Sequence, residues 1–199
     1  KEENNIVGLA DELENDLIDA SKIRVIISAP SGAGKTTICN EIVKKYPQFV
    51  LSKSYTTRAK RFDNEDEYIF IDKATFLKDK NNFIEYEYIF DNYYGTHKSV
   101  LNNTNLIFNI DINGAQKLVN YFNEIGDTVI SIFIKPPSKE ELINRLRTRG
   151  DMEDNIEDRL INYDAEISES NNFDYTVINN NLEECLDFIY KILKQYNEN

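Results

Sequence analysis

The sequence IRVIISAPSGAGKTT, residues 23–37, decides how the rest of this chain is interpreted. It begins with a β-branched apolar run and continues through small residues rich in glycine. It ends in Lys35, Thr36 and Thr37, followed by a segment that suits a helix. A strand, a glycine-rich loop and a helix in this order form the context that a phosphate-binding loop requires. The stretch therefore predicts a P-loop near the start of an α/β fold.

The chemistry of this loop depends on a few positions. Gly32 and Gly34 let the backbone turn so that successive N–H groups face phosphate oxygens, aided by the dipole of the following helix. Lys35 would reach the β- and γ-phosphates of a nucleoside triphosphate, and the Thr36 hydroxyl would bind Mg²⁺. Ala29 stands where the G-x-x-x-x-G-K-[ST] pattern has its first glycine. The alternative, an ordinary glycine-rich turn, is disfavoured by the flanking strand and the GKT triplet.

Length and charge limit the range of partners. The chain has 199 residues and a net charge of −12, and its first 19 residues carry seven acidic side chains against one lysine. A chain of this length can bury one substantial core. Nucleic acids and anionic membranes both require a basic face, so we expect neither as the main partner. Any phosphate binding is expected to be local.

Cysteine usage and hydropathy predict a cytoplasmic protein. Cys39 and Cys185 lie far apart at apolar positions of predicted helices, without the spacing of metal ligands. Two free, buried thiols in a reducing compartment are therefore expected. No stretch approaches the roughly 18 consecutive apolar residues of a membrane span, and the acidic N-terminus does not resemble a signal peptide.

The hydrophobic pattern predicts an α/β chain with a three-layer P-loop NTPase fold and a parallel central sheet. Residues 52–99 differ, since they are rich in tyrosine and in short alternating runs that favour an inserted α+β lobe. Residues 139–170 are predicted to form charged helices with little core of their own, which suits a mobile lid. The remaining core segments are 23–51, 100–138 and 171–199, and residues 1–22 form an acidic tail or a short amphipathic helix.

A carboxylate follows one of the predicted parallel strands. The apolar run LIFNI, residues 106–110, ends at Asp111. In this position beside a P-loop, a carboxylate can hold Mg²⁺ directly or through water. The alternative is that Asp111 caps the next helix. The metal site is favoured because the P-loop already implies a metal ion nearby.

A second group of polar residues lies within the predicted lobe. It comprises two arginines, two tyrosines, two hydroxyl residues and a glutamate: Arg58, Arg61, Tyr68, Tyr94, Ser54, Thr96 and Glu85. Arginine and tyrosine donors suit a dianionic phosphate. Glu85 would repel phosphate, but its carboxylate can accept paired hydrogen bonds from guanine, whereas adenine has no such pair of donors. The alternative for each residue, taken alone, is an ordinary surface or packing role.

Six motifs, in this order and spacing, resemble guanylate kinases: SAPSGAGKTT, SYTTRAKR, FIEYEYIFDNYYGT, IDINGA, IFIKPPSKEELINRLRTRG and DYTVINNNLEE. The resemblance covers residues 23–196. It implies an enzyme that transfers the γ-phosphoryl group of ATP to GMP with Mg²⁺, giving ADP and GDP. It also implies that the inserted lobe binds GMP.

The resemblance implies roles for the residues at matching positions. Guanine would be read by Ser54, Glu85 and Thr96. The GMP phosphate would be held by Arg58, Arg61, Tyr68 and Tyr94. ATP would be bound by Ser31, Gly32, Ala33, Gly34, Lys35, Thr36 and Thr37, with Asn179 near the adenine ring. The catalytic groups would be Lys35, Arg145, Arg149 and Arg159. Thr36 and Asp111 would hold the metal, and Asp111 would also face GMP.

Two further kinds of departure from the family pattern accompany Ala29. Asn109 occupies the position of the first aspartate in the family's D-I-D motif, which removes one carboxylate near the nucleotides. The loop between Arg61 and Tyr68 and the segment between Thr96 and Asn105 are both shorter than usual. Neither shortened segment removes an assigned residue, but the turn in the lobe is expected to differ.

Two other functions are compatible with this scaffold. Guanylate-kinase-like interaction modules bind peptides and typically lack the P-loop lysine and parts of the GMP site, which are present here. A P-loop kinase for another small phosphorylated substrate would have no reason to keep Ser54 and Glu85 together. The sequence leaves the oligomeric state open, monomer or dimer.

Overall fold

The structure is a computed structural model that describes residues 22–89, 91–101 and 104–197. The tail or short helix predicted over residues 1–22 lies outside this part of the chain, apart from its last residue. No helix in the described ranges is long and apolar enough to cross a membrane.

The main sheet has five strands, all paired in parallel. Its order is β2 (Phe49–Leu51), β7 (Asn105–Asn109), β1 (Ile23–Ser28), β8 (Thr128–Lys135) and β9 (Tyr175–Ile178). β1 is central, and all its residues after the first are buried. A continuous run of buried β-branched residues is typical of a strand covered on both faces. The predicted parallel central sheet is confirmed.

Helices cover both faces of this sheet. α1 (Lys35–Lys45) and α7 (Leu182–Asn197) lie on one face, and α3 (Ile112–Glu124) lies on the other. Val25 and Ile27 of β1 join the cluster under α1 and α7, whereas the intervening Ile26 joins the cluster under α3. This alternation follows from the twofold period of a strand.

A second, four-stranded sheet carries the tyrosine-rich part of the chain. Its order is β4 (Tyr68–Phe70), β3 (Ser54–Thr56), β6 (Asn92–His97) and β5 (Phe83–Ile89), and α2 (Lys73–Lys78) packs on β6. The fully buried Phe76 of α2 packs against Phe83 and stacks on Tyr93. The aromatic residues therefore form a separate small core. The limits of 52–99 for the lobe stay a prediction.

Three short helices occupy the segment predicted as a lid. They are α4 (Lys139–Arg149), α5 (Glu153–Leu160) and α6 (Tyr163–Ser168). Ser138 caps the start of α4, and Gly150 ends it with φ of +93°. The buried residues Leu142, Leu146, Ile156 and Tyr163 join the main hydrophobic cluster. The few apolar residues of these charged helices are thus anchored on the P-loop core, and their mobility stays a prediction.

Both cysteines are free and buried, as the sequence predicts. Burial raises the pKa of Cys39 to about 12 and that of Cys185 to about 11. Both side chains therefore stay neutral at physiological pH and act as small apolar residues of the core.

Candidate active site

The loop between β1 and α1 has a backbone that only glycine accommodates at two positions. Gly32 and Gly34 have φ of +90° and +97°, in the left-handed region where side chains are strained. A Cβ at Gly32 would lie 2.7 Å from Cδ2 of Leu146, and one at Gly34 would lie 2.6 Å from Nδ2 of Asn179. Backbone conformation therefore favours glycine at both positions, and a side chain at either would also displace Leu146 or Asn179.

Ala29 replaces glycine without strain. Among the described residues other than glycine, Asp91 alone has a positive φ, so the backbone at Ala29 lies in a region that alanine adopts freely. Ala29 is 7% exposed and belongs to the main hydrophobic cluster. The departure at the first position of the motif is accommodated by the core below the loop.

The other loop residues lie where α1 begins. Ala33 is fully buried and Ser31 is half-buried, whereas Thr36 and Thr37 are exposed in the first turn of the helix. Successive N–H groups at the start of a helix, together with its dipole, form a site for anions. The predicted phosphate-binding residues 31–37 thus lie together at the carboxyl end of the central strand.

Lys35 is held against the end of the neighbouring strand. Its Nζ donates a 2.9 Å hydrogen bond to the carbonyl oxygen of Ile110, the residue before Asp111. Burial lowers the pKa of Lys35, and the nearby Asp111 and Glu166 carboxylates partly oppose this. The ammonium group is therefore placed between the P-loop and the end of β7.

Asp111 caps a helix, as the alternative interpretation held. Its Oδ1 accepts a 2.9 Å hydrogen bond from the backbone N–H of Gly114 at the start of α3. The residue is nevertheless exposed at the end of β7. A cap uses one carboxylate oxygen, so the cap does not consume the whole group. The metal role of Asp111 stays a prediction.

The residues assigned to Mg²⁺ have the chemistry that this ion requires. Thr36 and Asp111 offer exposed oxygen donors, and Asn109 Nδ2 donates a 3.1 Å hydrogen bond to Thr36 Oγ1. Within the described ranges, no group of three or more His, Cys, Asp or Glu residues is suited to a metal ion. Mg²⁺ in kinases is held by one or two protein ligands together with substrate phosphates. The donor set fits that arrangement.

Glu85 and Thr96 lie opposite each other on neighbouring strands of the second sheet. They are paired in the β5–β6 ladder and are only 6% and 1% exposed. Burial raises the pKa of Glu85, while hydrogen bonds from Thr96 partly oppose the shift. A Cβ on Gly114 would lie 3.3 Å from Glu85 Oε2, so this carboxylate lies against the first turn of α3. Ser54, half-buried, begins the adjacent part of the sheet in β3.

The predicted phosphate residues of the lobe are partly assembled. The guanidinium carbon of Arg58 lies 5.5 Å from the centre of the Tyr68 ring, and the Tyr68 and Tyr94 rings are 5.9 Å apart. The side chain of Arg61 is exposed. One group is thus formed by Arg58, Tyr68 and Tyr94. Arg61 is connected to this group through Glu65, which accepts a hydrogen bond from the Arg61 backbone N–H and also pairs with Arg58.

The lid arginines are held by carboxylates. Arg149 and Arg159 both contact Asp151, at 2.5 Å and 3.3 Å, and Arg145 contacts Glu141 at 3.0 Å. Arg159 also donates from Nη1 to the Ser31 hydroxyl of the P-loop. The structure therefore brings Arg159 to the loop and links it to Arg149 through a shared partner.

Sequence analysis missed two acidic residues in this region. Glu65, in the shortened loop, is 3% exposed and contacts Arg58. Glu166, in α6, is half-buried near the charges of Lys35 and Asp111, and burial raises its pKa. Both lie in acidic segments, where nothing in the sequence distinguishes a buried carboxylate from its solvated neighbours.

The site can be compared with known proteins. A sequence model of the guanylate kinase family matches residues 21–196. The guanylate kinase of Chlorobium chlorochromatii is 40% identical over 180 residues, covering 85% of this chain and 93% of that protein. That of Hydrogenovibrio crunogenus is 41% identical over 177 residues, covering 84% of each. The crystal structure of guanylate kinase from Anaplasma phagocytophilum is similar, with a TM-score of 0.68 and 30% identity, covering 89% of this chain and 87% of that one.

Proposed function

Because the chain belongs to the guanylate kinase family and is a phosphotransferase, we propose that it transfers the γ-phosphoryl group of ATP to GMP, giving ADP and GDP. The observation that carries the proposal is the burial of Glu85 beside Thr96, with its carboxylate against Gly114 at the start of α3, the helix that Asp111 caps. A buried carboxylate needs donors. Guanine N1–H and its 2-amino group supply two.

Selection of the acceptor base follows from this pairing. GMP would add a pair of donors to those that Thr96 already gives the Glu85 carboxylate, whereas AMP presents no adjacent pair of donors. Paired hydrogen bonds of this kind discriminate between bases by about 1–3 kcal/mol in DNA recognition. A buried carboxylate that loses water and gains no donors from the base adds to the penalty against the wrong base.

The proposed reaction requires alignment more than acid–base chemistry. The GMP phosphate is already an anionic nucleophile at neutral pH, so no general base is needed. Arg58, Arg61, Tyr68 and Tyr94 would orient this phosphate, and the P-loop amides with Lys35 would hold the β- and γ-phosphates of ATP. Positioning and charge neutralisation account for most of the catalysis in phosphoryl transfer.

Mg²⁺ would be held by Thr36 and Asp111 together with nucleotide phosphates, and when bound it supplies neutralisation of the β- and γ-oxygens. Arg145, Arg149 and Arg159 would approach the transferring group as the lid closes. Closure would also exclude water and so suppress hydrolysis of ATP. The free thiols and the acidic charge support a cytoplasmic location, with ATP and GMP rather than nucleic acid as ligands.

A coupled assay of ADP release tests the proposal. With ATP and Mg²⁺, GMP is expected to be the preferred acceptor over AMP, UMP and CMP. Preference for another monophosphate would reassign the acceptor site. Absence of turnover with every monophosphate would instead favour a peptide-binding module on the same scaffold.

A further inference from the structure

We infer that Glu65 is a positioning residue of the acceptor-phosphate site, which fixes the guanidinium group of Arg58 and the backbone of Arg61 before GMP arrives. The inference rests on the proposed function and deepens it. It assigns a role to a residue in the loop that is shorter than usual, and it explains how that loop still supports a phosphate site.

The contacts of Glu65 carry this inference. Arg58 Nη2 donates to Glu65 Oε1 at 2.5 Å, and Arg58 Nη1 donates to Oε2 at 3.3 Å. The backbone N–H of Arg61 donates to the same Oε2 at 2.7 Å. Both carboxylate oxygens are therefore bonded, and one side chain connects two positions predicted to hold phosphate.

Burial separates this ion pair from ordinary surface pairs. The Glu65 side chain is 2% exposed and that of Arg58 is 15% exposed. The hydrogen bond from Arg58 lowers the pKa of Glu65, so the carboxylate is ionised at neutral pH. By contrast, the neighbouring Asp66 is 87% exposed in its pair with Lys53 at 3.4 Å.

The remaining contacts of Arg58 define the direction in which it faces. Nη1 also donates to the carbonyl oxygen of Ala59 at 2.7 Å, and the guanidinium lies over the Tyr68 and Phe70 rings at 5.5 Å and 5.4 Å. An arginine has more N–H donors than these hydrogen bonds use. The guanidinium is thus held by Glu65, by the Ala59 carbonyl and by two aromatic neighbours, and it keeps donors for a phosphate.

This arrangement lowers the entropy lost on binding. A free arginine side chain loses rotamer freedom when it is fixed in one position. Here that ordering accompanies folding rather than GMP binding. For Arg61, Glu65 fixes only the backbone, so the position from which the side chain starts is set while the exposed side chain stays free to reach the phosphate.

Glu65 does carry a negative charge near an anion site. Its charge is balanced by Arg58, so the group of Arg58, Arg61 and Glu65 keeps one net positive charge. The advantage of orientation must therefore exceed the cost of the weaker field. If Glu65 only weakened the positive charge that attracts the phosphate, neutralising Glu65 would raise the affinity for GMP. If Glu65 orients Arg58, neutralising it lowers that affinity.

The experiment compares Glu65→Gln with Asp66→Asn, a matched control in the same loop. The affinities of GMP and guanosine are measured by calorimetry and competition, and KM for ATP is measured in parallel. Loss of a charged hydrogen-bonding partner is expected to weaken GMP binding by roughly 10- to 100-fold. Guanosine affinity and KM for ATP should not change, because Glu65 acts only on the phosphate. Asp66→Asn should leave all three unchanged.

Several outcomes would overturn the inference. Equal losses for guanosine and GMP would show that Glu65 merely stabilises the lobe. Unchanged or stronger GMP binding by Glu65→Gln would show that the orientation has no value. Failure of the unmodified protein to bind GMP would instead overturn the proposed function itself.

A double-mutant cycle keeps the test valid if Glu65→Gln folds poorly. Glu65→Asp retains the charge with a shorter reach, and it can be combined with Arg58→Lys. If Glu65 acts through Arg58, the two losses of GMP affinity should be clearly less than additive. Additive losses would contradict the inference.

Discussion

The side-chain amide of Asn179 donates a 2.8 Å hydrogen bond to the carbonyl oxygen of Ala33, across 146 residues of sequence. Both residues are buried, and the backbone N–H of Asn179 is itself bonded to the Lys135 carbonyl at 2.8 Å. The end of the last strand of the main sheet therefore supports the P-loop. A role of Asn179 near adenine, implied by the resemblance, stays a prediction.

Asn179→Ala is expected to lower the free energy of unfolding by about 1–3 kcal/mol, because the buried Ala33 carbonyl loses its partner. KM for ATP should rise more than KM for GMP, since the loosened loop binds only the donor. Urea denaturation and steady-state kinetics measure both effects, with the exposed Asn180→Ala as the control. Unchanged stability with a raised KM for ATP would point to adenine contact alone.

Gly34→Ala is expected to destabilise the fold more than Gly126→Ala does. Both glycines have positive φ, so each substitution carries strain of roughly 1–2 kcal/mol. At Gly34 the new Cβ would also lie 2.6 Å from Asn179 Nδ2, whereas at Gly126 no heavy atom lies within 4 Å. Urea denaturation of both variants isolates the effect of the contact. Equal losses of unfolding free energy in the two variants would show that the loop and Asn179 shift without cost to make room for the new Cβ.

Lys35→Met should lower kcat by roughly 10²- to 10³-fold, the loss typical of removing one donor to a developing charge. The fold should survive for two reasons. Burial of the Lys35 ammonium already costs solvation energy, which methionine avoids, and the hydrogen bond that is lost goes to the Ile110 carbonyl rather than to an ion-pair partner. ADP release and circular dichroism measure activity and folding. Lys44→Met, at an exposed position of the same helix, is the control. Undiminished turnover of Lys35→Met would contradict the P-loop assignment.

Affinity for GMP is expected to fall on acidification through the pKa of Glu85. Burial raises this pKa above the ordinary value of 4.5, and in the proposed site guanine would be read by the ionised form. Binding is therefore strong above the raised pKa and weakens as the pH falls through it. Glu85→Gln should bind GMP roughly 10- to 100-fold less tightly at neutral pH.

The pH profile of KM for GMP separates Glu85 from the phosphate of GMP, which titrates in every variant. The difference between the unmodified protein and Glu85→Gln isolates the carboxylate. Glu87→Gln, two residues along the same strand and facing Lys117, should keep the profile of the unmodified protein. Identical profiles for all three proteins would exclude Glu85 as the titrating group.

Arg159→Ala should lower kcat by roughly 10- to 100-fold through the loss of charged hydrogen bonds at the transferring phosphate. GMP affinity should change little, because Arg159 contacts Ser31 and Asp151 rather than the lobe. Arg147→Ala is the control, since Arg147 is exposed and pairs with Glu153. Calorimetry measures the GMP affinity of both variants, and an assay of ADP release measures their kcat. A collapse of GMP binding alone would show that the lid assignment is wrong.

Local sequence patterns were enough to predict the architecture. The buried run of β1 and the GKT triplet predict a strand, a loop and a helix because each depends on neighbouring residues. The parallel order of the main sheet follows from repeated strand and helix units. The charged helices predicted within residues 139–170 are present as α4, α5 and α6.

The sequence was less informative about what supports the candidate site. The partners of Glu65 and Asn179 become neighbours only in the folded chain. The partner of Asn179 is a backbone carbonyl, which every residue has, so no residue type in the sequence marks it. Asp111 illustrates a different difficulty, since one carboxylate can cap a helix and still offer an oxygen to a metal. Residue type and spacing do not distinguish the two.

The central place of β1 also determines when the nucleotide site can form. Its two neighbours, β7 and β8, begin at Asn105 and Thr128, so each side of the strand is paired only after a long intervening segment has been synthesised. Pairings between distant segments fold slowly, because loop-closure entropy is lost before their contacts form. A nascent chain that ends before Thr128 therefore exposes one edge of β1 to chaperones or aggregation. The nucleotides of the proposed reaction would stabilise the finished fold by mass action, but they would not act before the site has formed.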